Sequence, residues 1–412
     1  MKLTMLLILL LTCVNHADAQ DGLAGMPGAY LHMGVGARAL GMGKAYTALA
    51  NDASAIYWNP AGICAQEKFQ LYLTHSQLFM DTNFDYFAAV APTEQFGNIG
   101  FGVLALSSGE FEQRTVLNEN VGQFKMMDMA FLLSWAKEVG YGFSVGGSYK
   151  LVSQKIMNVS GIGHGIDLGV KRRLFDRFEI GMAITNALMP NVTLVEQAQK
   201  YPMQMRMGVA VPLLNNQLML STDVGQIVGW GKMTLDIGVE YLPINRLALR
   251  TGMENGRFTF GLGFSFQDYG VDYSSSSVND LGYNHRFAVK YTFGGFGINA
   301  IASPDVFSPT GEINLSHIKL HAKSRQPIAR WEFSILNTTG DIIRHFTADG
   351  AIPEEIIWDG RDNRGILVED GNFNYRFEVV TINGKNLTNE GGLVTIDTRG
   401  PEGSLGLNEV VK

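Results

Sequence analysis

Two histidines four residues apart, His317 and His321, have the spacing at which a metalloprotease helix presents zinc ligands. No glutamate follows the first, the segment alternates like a strand, and no third ligand is evident, so a zinc centre is not expected. Asp359, Asp362 and Asp370 gather carboxylates without the ligand spacing of a calcium cage. They are expected to close turns by bonding nearby backbone amides. No strand-to-helix nucleophile elbow of the Gly-x-Ser-x-Gly type and no phosphate-binding loop is found. No enzyme activity, metal or other cofactor is expected. The remaining candidates are charges set in otherwise apolar, alternating segments: Arg206, Asp236, Glu240, Arg246, Arg250, Arg286 and Lys290. Such charges could line a channel and select a ligand. They could equally be ion pairs tying a wall to a plug, since pairing is how semi-buried ions are tolerated. The second use is favoured, with Asp236 or Glu240 meeting Arg250 or Arg246 across a tight turn.

The elements that would position these charges begin with an export leader. Lys2 supplies a positive start, Leu3 to Val14 an apolar stretch too short to span a bilayer, and Ala17-Asp18-Ala19 a small-residue cleavage site. Residues 1–19 are therefore read as a signal peptide, with the mature chain starting at Gln20. Cys13 leaves with the leader, so Cys64 remains alone and no intramolecular disulfide is expected. No later segment is apolar for long enough to make a membrane-spanning helix. The 412 residues carry a net charge of −7, which argues against nucleic acid as a partner.

Between Phe69 and Phe293 the sequence alternates apolar and polar residues in fourteen segments. Met203, Met205, Met207 and Val209 share one face; Gln204, Arg206 and Gly208 share the other. Phe258, Phe260, Leu262, Phe264 and Phe266 oppose Thr259, Gly261 and Gly263. The apolar face would meet lipid and the polar face the interior of a barrel. Connections also differ in length. Ser107–Gln123, Gln154–Ile162, Ala187–Pro202 and Ser275–Tyr283 are read as long loops on one rim, with shorter turns mostly on the other. An even strand number returns the chain to its starting side. Composition changes near Phe293, and more polar sequence follows.

Ahead of the first strand, the small-residue run from Ala45 to Cys64 contains Asn59-Pro60-Ala61-Gly62. This run resembles the N-terminal hatch of FadL-like outer-membrane barrels, in particular the PorV/PorQ branch. The resemblance implies an all-β protein: a fourteen-stranded transmembrane antiparallel β-barrel with a hatch, plus a small Ig-like β-sandwich. The second part rests on Trp331, Trp358-Asp359-Gly360, Asp362, Gly365, Gly371 and Tyr375, whose spacing resembles FlgD-type Ig-like domains. The expected organisation is a leader (1–19), hatch (20–66), barrel (67–293), Ig-like domain on the periplasmic side (297–400) and tail (401–412).

The PorV-like resemblance implies a component of type IX secretion in the outer membrane. It would bind sorting domains of exported proteins, with secretion-system subunits and membrane lipid as partners. The FadL-like resemblance implies instead passive transport of apolar small molecules, such as long-chain fatty acids, past the hatch at Asn59.

Overall fold

The computed structural model describes residues 25–93, 96–174, 178–244, 246–277, 282–324, 326–382, 384 and 386–399. The expected leader, the first residues of the hatch, the expected strand starts at Arg177 and Asn245, and the tail 401–412 lie outside the described residues. The chain divides into two compact units, one ending at Gly295 and the other starting at Phe296.

In the first unit, strands β1 (Phe69–Gln77), β2 (Asn83–Pro92) and β3 (Asn98–Ser107) are followed by a short hairpin, β4 (Phe111–Arg114) and β5 (Asn120–Phe124). Then come β6 (Met126–Gly140), β7 (Phe143–Ile156), β8 (Val159–Leu174) and β9 (Phe178–Leu188). A second hairpin, β10 (Asn191–Thr193) and β11 (Ala198–Lys200), precedes β12 (Gln204–Leu213), β13 (Leu218–Ile227) and β14 (Trp230–Ile244). The last four strands are β15 (Leu247–Glu254), β16 (Arg257–Phe266), β17 (Tyr269–Ser277) and β18 (Tyr283–Phe293). Apart from the two hairpins these strands form one closed barrel of fourteen, antiparallel throughout. Closure is the β1–β18 ladder, from Phe69 opposite Phe293 to Gln77 opposite His285.

The alternation read from sequence is the alternation observed. Arg206, Gly208 and Ala210 are buried while Met205, Met207 and Val209 are exposed. Leaving a large apolar side chain in water forgoes about 1.5–3 kcal/mol relative to burial. The exterior presents such residues strand after strand, including Leu73, Phe101, Leu133, Met207, Phe260 and Phe287, which is stable only against lipid. Aromatic rings gather at the rim where β1 starts: Phe69 stacks on Phe293 at 5.5 Å and Tyr269 on Tyr291 at 4.7 Å. Such a girdle fits an outer-membrane location.

The long loop expected over Gln154–Ile162 is instead mostly strand. The β7–β8 ladder continues to Ile156 opposite Val159, leaving Met157 and Asn158 as the turn. Gly161 reads as a loop glycine, yet it is an inward strand position kept bare, like Gly163, for β10, which lies against both; Gly165 receives Pro190 in the same way. Of the loop expected over Ser275–Tyr283, Ser275–Ser277 belong to β17 and Tyr283 opens β18, while 278–281 lie outside the described residues. Two long connections remain, 108–125 and 189–203, both on the rim opposite the girdle and each bearing a hairpin.

In the second unit a sheet of β19 (Gly297–Ser303), β21 (Ser316–Lys323) and β24 (Glu355–Trp358) faces a second sheet. The latter contains β20 (Val306–Phe307), β22 (Ile328–Leu336), β23 (Ile342–Asp349), β25 (Gly371–Thr381) and β26 (Asn386–Ile396). Both contribute to one core, in which Ile318, Phe333, Trp358 and Phe377 are fully buried. At the turn after β22 the Thr339 hydroxyl and Asn337 amide hold the Asp341 carboxyl below its usual range. Phe377→Ala is expected to cost this unit about 3–5 kcal/mol. A lower urea midpoint for the unit, with the barrel's folded gel mobility unchanged, is the result that checks it.

Candidate functional site

The barrel interior is occupied by the segment before β1. It contains two short helices, α1 (Ala37–Gly41) and α2 (Ala55–Trp58), and 3-10 turns at Ala29–His32 and Pro60–Ala65. Side chains of Leu31, Leu40, Met42, Leu49, Ile56 and Trp58 form one buried cluster with the inner wall. The segment ties itself together by its aromatics: Trp58 Nε1 donates to Val35 O at 2.9 Å, and Tyr57 Oη donates to Leu31 O at 2.6 Å.

Its backbone rides on wall glycines that face each other across strands. Gly146 on β7 opposes Gly169 on β8, Gly181 on β9 opposes Gly208 on β12, and Gly238 on β14 opposes Gly252 on β15. A Cβ on Gly146 would lie 2.6 Å from Ala61 N, and one on Gly181 would lie 2.5 Å from Thr47 O. At the third pair a Cβ would run into the Met42 carbonyl from Gly238 and the Gly43 amide from Gly252. Three stretches of plug are thus in backbone contact with the wall.

The Asn-Pro-Ala-Gly motif is one of these stretches, and each residue has a reason to be there. Asn59 caps the following turn, its Oδ1 accepting from Ala61 N at 3.2 Å. Its Nδ2 donates to Thr47 O at 2.9 Å and to Val170 O on the wall at 3.2 Å. Pro60 starts the turn, where its missing N–H is no loss. Ala61 fits beneath Gly146, and a Cβ on Gly62 would lie 2.9 Å from the Ala55 Cβ.

The interior charges bind plug to wall. Arg38 on α1 makes a two-point contact with Glu240, through Nε at 2.8 Å and Nη2 at 2.7 Å. Glu240 also accepts from Arg250 at 2.6 Å, and Arg250 reaches Asp272 at 2.6 Å. Asp223 and Asp236 stand directly opposite across β13 and β14, a repulsive placement relieved by Arg206 at 3.3 Å and 2.7 Å. Asp223 Oδ2 also accepts from the plug amides of Tyr46 and Thr47, at 3.1 Å and 2.8 Å. Lys44 of the plug pairs with Glu254 at 2.6 Å.

Of the expected pairings Glu240–Arg250 is present, whereas Asp236 turns to Arg206. Arg246 departs from expectation. It sits exposed in the turn before β15, over the Phe266 ring at 5.7 Å, because the strand begins only at Leu247 and the alternation does not extend back to it. Lys290 is half-buried beside Gly270, and Arg286 is buried near Ser276. Arg38 and Lys44 were not legible as site residues, since the plug has no period. Lys150, Asp167, Asp223 and Asp272 were missed, although each puts a charge at an inward position of an alternating strand, the signal that could have found them.

Among the described residues the wall has one irregularity inside a strand, midway along β8 where β9 comes to its end. Between β8 and β9 the register slips, so that Ile166 opposes Leu188 while Leu168 opposes Ile184. The other barrel slips, at Glu138/Gly140, Gly225/Ile227 and Tyr241/Ile244, lie at strand ends. Asn186, with φ of 55°, makes the kink. Its amide N donates to Asp167 at 2.7 Å, its Oδ1 accepts from Lys150 at 2.9 Å and its Nδ2 donates to Pro202 O at 2.8 Å. Beyond the kink the 189–203 connection turns inward. Val192 packs on Gly161 and Gly163, and the Tyr201 ring covers Gly28 of the plug.

In the second unit the aspartates are spent on turns. Asp359 accepts from Arg361 N, Asp362 from the amides of Arg364 and Ile366, and Asp370 pairs with Thr398. Trp331 and Trp358 donate to Ala351 O and Arg361 O, and Tyr375 donates to Ala300 O at 3.1 Å. Gly360 and Gly365 both take left-handed φ, and Gly371 opens β25. His317 meets Glu355 at 3.3 Å, and no metal-ligand cluster occurs among the described residues. The run Gly142-Phe143-Ser144-Val145-Gly146 has the letter spacing of a nucleophile elbow, but Ser144 lies within β7 rather than at a strand-to-helix turn.

The chain is similar to toluene transporters. TbuX of Ralstonia pickettii is 16% identical, with a TM-score of 0.48 over 63% of this chain and 99% of that one. TodX of Pseudomonas putida is 14% identical, with a TM-score of 0.49 over 63% and 98%. A FadL homologue of Pseudomonas aeruginosa is 12% identical, with a TM-score of 0.41 over 60% and 95%. At these values the fold stands on the strand pairing itself. Residues 17–166 match an uncharacterised protein family (UPF0164). No curated protein matches the chain.

Two outcomes follow from the plug contacts. Glu240→Gln leaves Arg38 and Arg250 short of a buried counter-charge and should cost about 3–5 kcal/mol, lowering the thermal midpoint of the detergent-solubilised barrel. Gly238→Val should force the Met42–Gly43 backbone off the wall and expose the plug to added protease. Val239→Ile, on the outward-facing side of the same strand, should leave proteolysis unchanged.

Proposed function

We propose that the protein is a non-enzymatic outer-membrane barrel that passes apolar small molecules between the membrane and its interior. The observation that carries this reading is the β8–β9 break. The plug fills the interior, so a straight aqueous pore is a poor account of the molecule. Among the described residues the wall deviates inside a strand at one place, midway along β8 where β9 ends, flanked outside by the apolar Ile166, Leu168 and Leu188. An apolar solute dissolved in the membrane meets an apolar surface there, and its transfer needs no hydration of the solute. The likeness to toluene transporters agrees with this reading without carrying it.

A second reading is a PorV-like role in type IX secretion, with secretion-system subunits or sorting domains of exported proteins as partners. It is favoured by the β4–β5 hairpin, whose tip exposes Val116 and Leu117. It is weakened at the other long connection, since 189–203 is folded into the barrel. In either reading the second unit is proposed to be a FlgD-type Ig-like domain in the periplasm. The motif spacing supports the type, and the even strand number supports the side.

Uptake of labelled toluene by cells carrying the barrel tests the first reading. Asn186→Ala removes two side-chain hydrogen bonds that hold the kink and is expected to reduce uptake several-fold with the barrel still folded. Unchanged uptake relative to cells lacking the protein would sink the proposal. Crosslinking of exported proteins from position 116 under those conditions would favour secretion.

A further inference from the structure

Three arginines of the interior, the half-buried Arg38 and the buried Arg206 and Arg250, touch carboxylates. Arg286 on β18 touches none among the described residues. It is buried, its Nη1 donates to Ser276 Oγ at 2.8 Å, and its Nε has no hydrogen-bond partner among the described residues. Glu254, the carboxylate whose charge bears on it, is held elsewhere by Lys44 at 2.6 Å. The cross-strand neighbours of Arg286 are Ser76 on β1 and Ser274 on β17. Both are buried, and both hydroxyls lack a partner among the described residues. Ser76 in turn opposes the buried Phe84 on β2.

A guanidinium taken out of water without a counter-charge carries a heavy desolvation penalty, and buried hydroxyls without partners add to it. Three adjacent strands have placed all of these donors on one inner face. We infer that Arg286, Ser76 and Ser274 form a binding site for the carboxylate of a small organic acid. The Nε edge of a guanidinium offers two parallel N–H donors, which match the two oxygens of a carboxylate. The serine hydroxyls supply further donors. Phe84 gives the site an apolar side suited to the body of an organic acid rather than to a fully hydrated inorganic ion. This goes beyond passage of apolar solutes, because a hydrocarbon offers these groups no acceptor.

Calorimetric titration of the purified full-length protein in detergent, at constant ionic strength, tests the site with benzoate, acetate and inorganic phosphate. Benzoate and acetate are expected to bind one per chain, with phosphate weaker than both. Arg286→Met should weaken the carboxylates about tenfold or more, the scale of a charge-assisted hydrogen bond. Ser274→Ala, which keeps the charge, should weaken them by less. Carboxylate binding that is absent in the native chain, or unchanged in Arg286→Met, overturns the inference, as does tighter binding of phosphate. If Arg286→Met does not fold, the Ser76→Ala/Ser274→Ala pair decides: reduced carboxylate affinity supports the site and unchanged affinity overturns it.

Discussion

Two backbones can touch only where no side chain stands between them. The opposed glycines of the inner wall create that condition at three places, and each receives a stretch of plug: Pro60–Ala61, Thr47–Ala48 and Met42–Gly43. The close approach brings plug amides and carbonyls within reach of wall groups. Asn59 can then bond the Val170 carbonyl, and Asp223 can accept two plug amides. Without the bare wall positions the small residues of the plug would have nothing to fit against. The abundance of glycine, 48 residues, thus serves packing as much as turns.

Charge placement follows from the same arrangement. The outside of the barrel meets lipid, so ionisable residues of the strands are directed inward, where water is scarce. They are tolerated because they meet opposite charges from other strands or from the plug. The run Arg38, Glu240, Arg250, Asp272 crosses from plug to three strands without a break. Removing any member would strand its neighbours, which makes these residues interdependent. Arg286 stands apart from this arrangement, surrounded by serines, and that contrast gives it a different use.

The far rim is governed by another local conflict. A strand that stays in register cannot also deliver its following loop into the barrel. Asn186 resolves this by taking a left-handed conformation, and the Lys150–Asp167 pair fixes it through hydrogen bonds. The price is a register slip between β8 and β9. The gain is an inward hairpin that packs on three bare glycines of β8 and reaches the plug at Gly28. Plug and hairpin thus both pack on the inner wall, while the wall itself is irregular at the kink.

The fourteen strands and the faces they present were legible in the sequence because side-chain direction has a period of two and lipid demands an apolar exterior. Phe258 to Phe266 and Met203 to Val211 could be sorted without coordinates for that reason. The position of Asn59-Pro60 in a plug was legible through resemblance, and the turn-closing aspartates through the tendency of a short carboxylate to bond its own backbone. Loop length was misjudged at Gln154–Ile162, since glycines needed for packing look the same in sequence as glycines needed for turning. Arg246 was misplaced because alternation does not mark where a strand starts. The partners of each charge, the kink at Asn186 and the isolation of Arg286 were decided only by the closed tertiary structure. Those features depend on registers between strands far apart in sequence and on where an aperiodic plug settles, and neither is encoded in any local pattern.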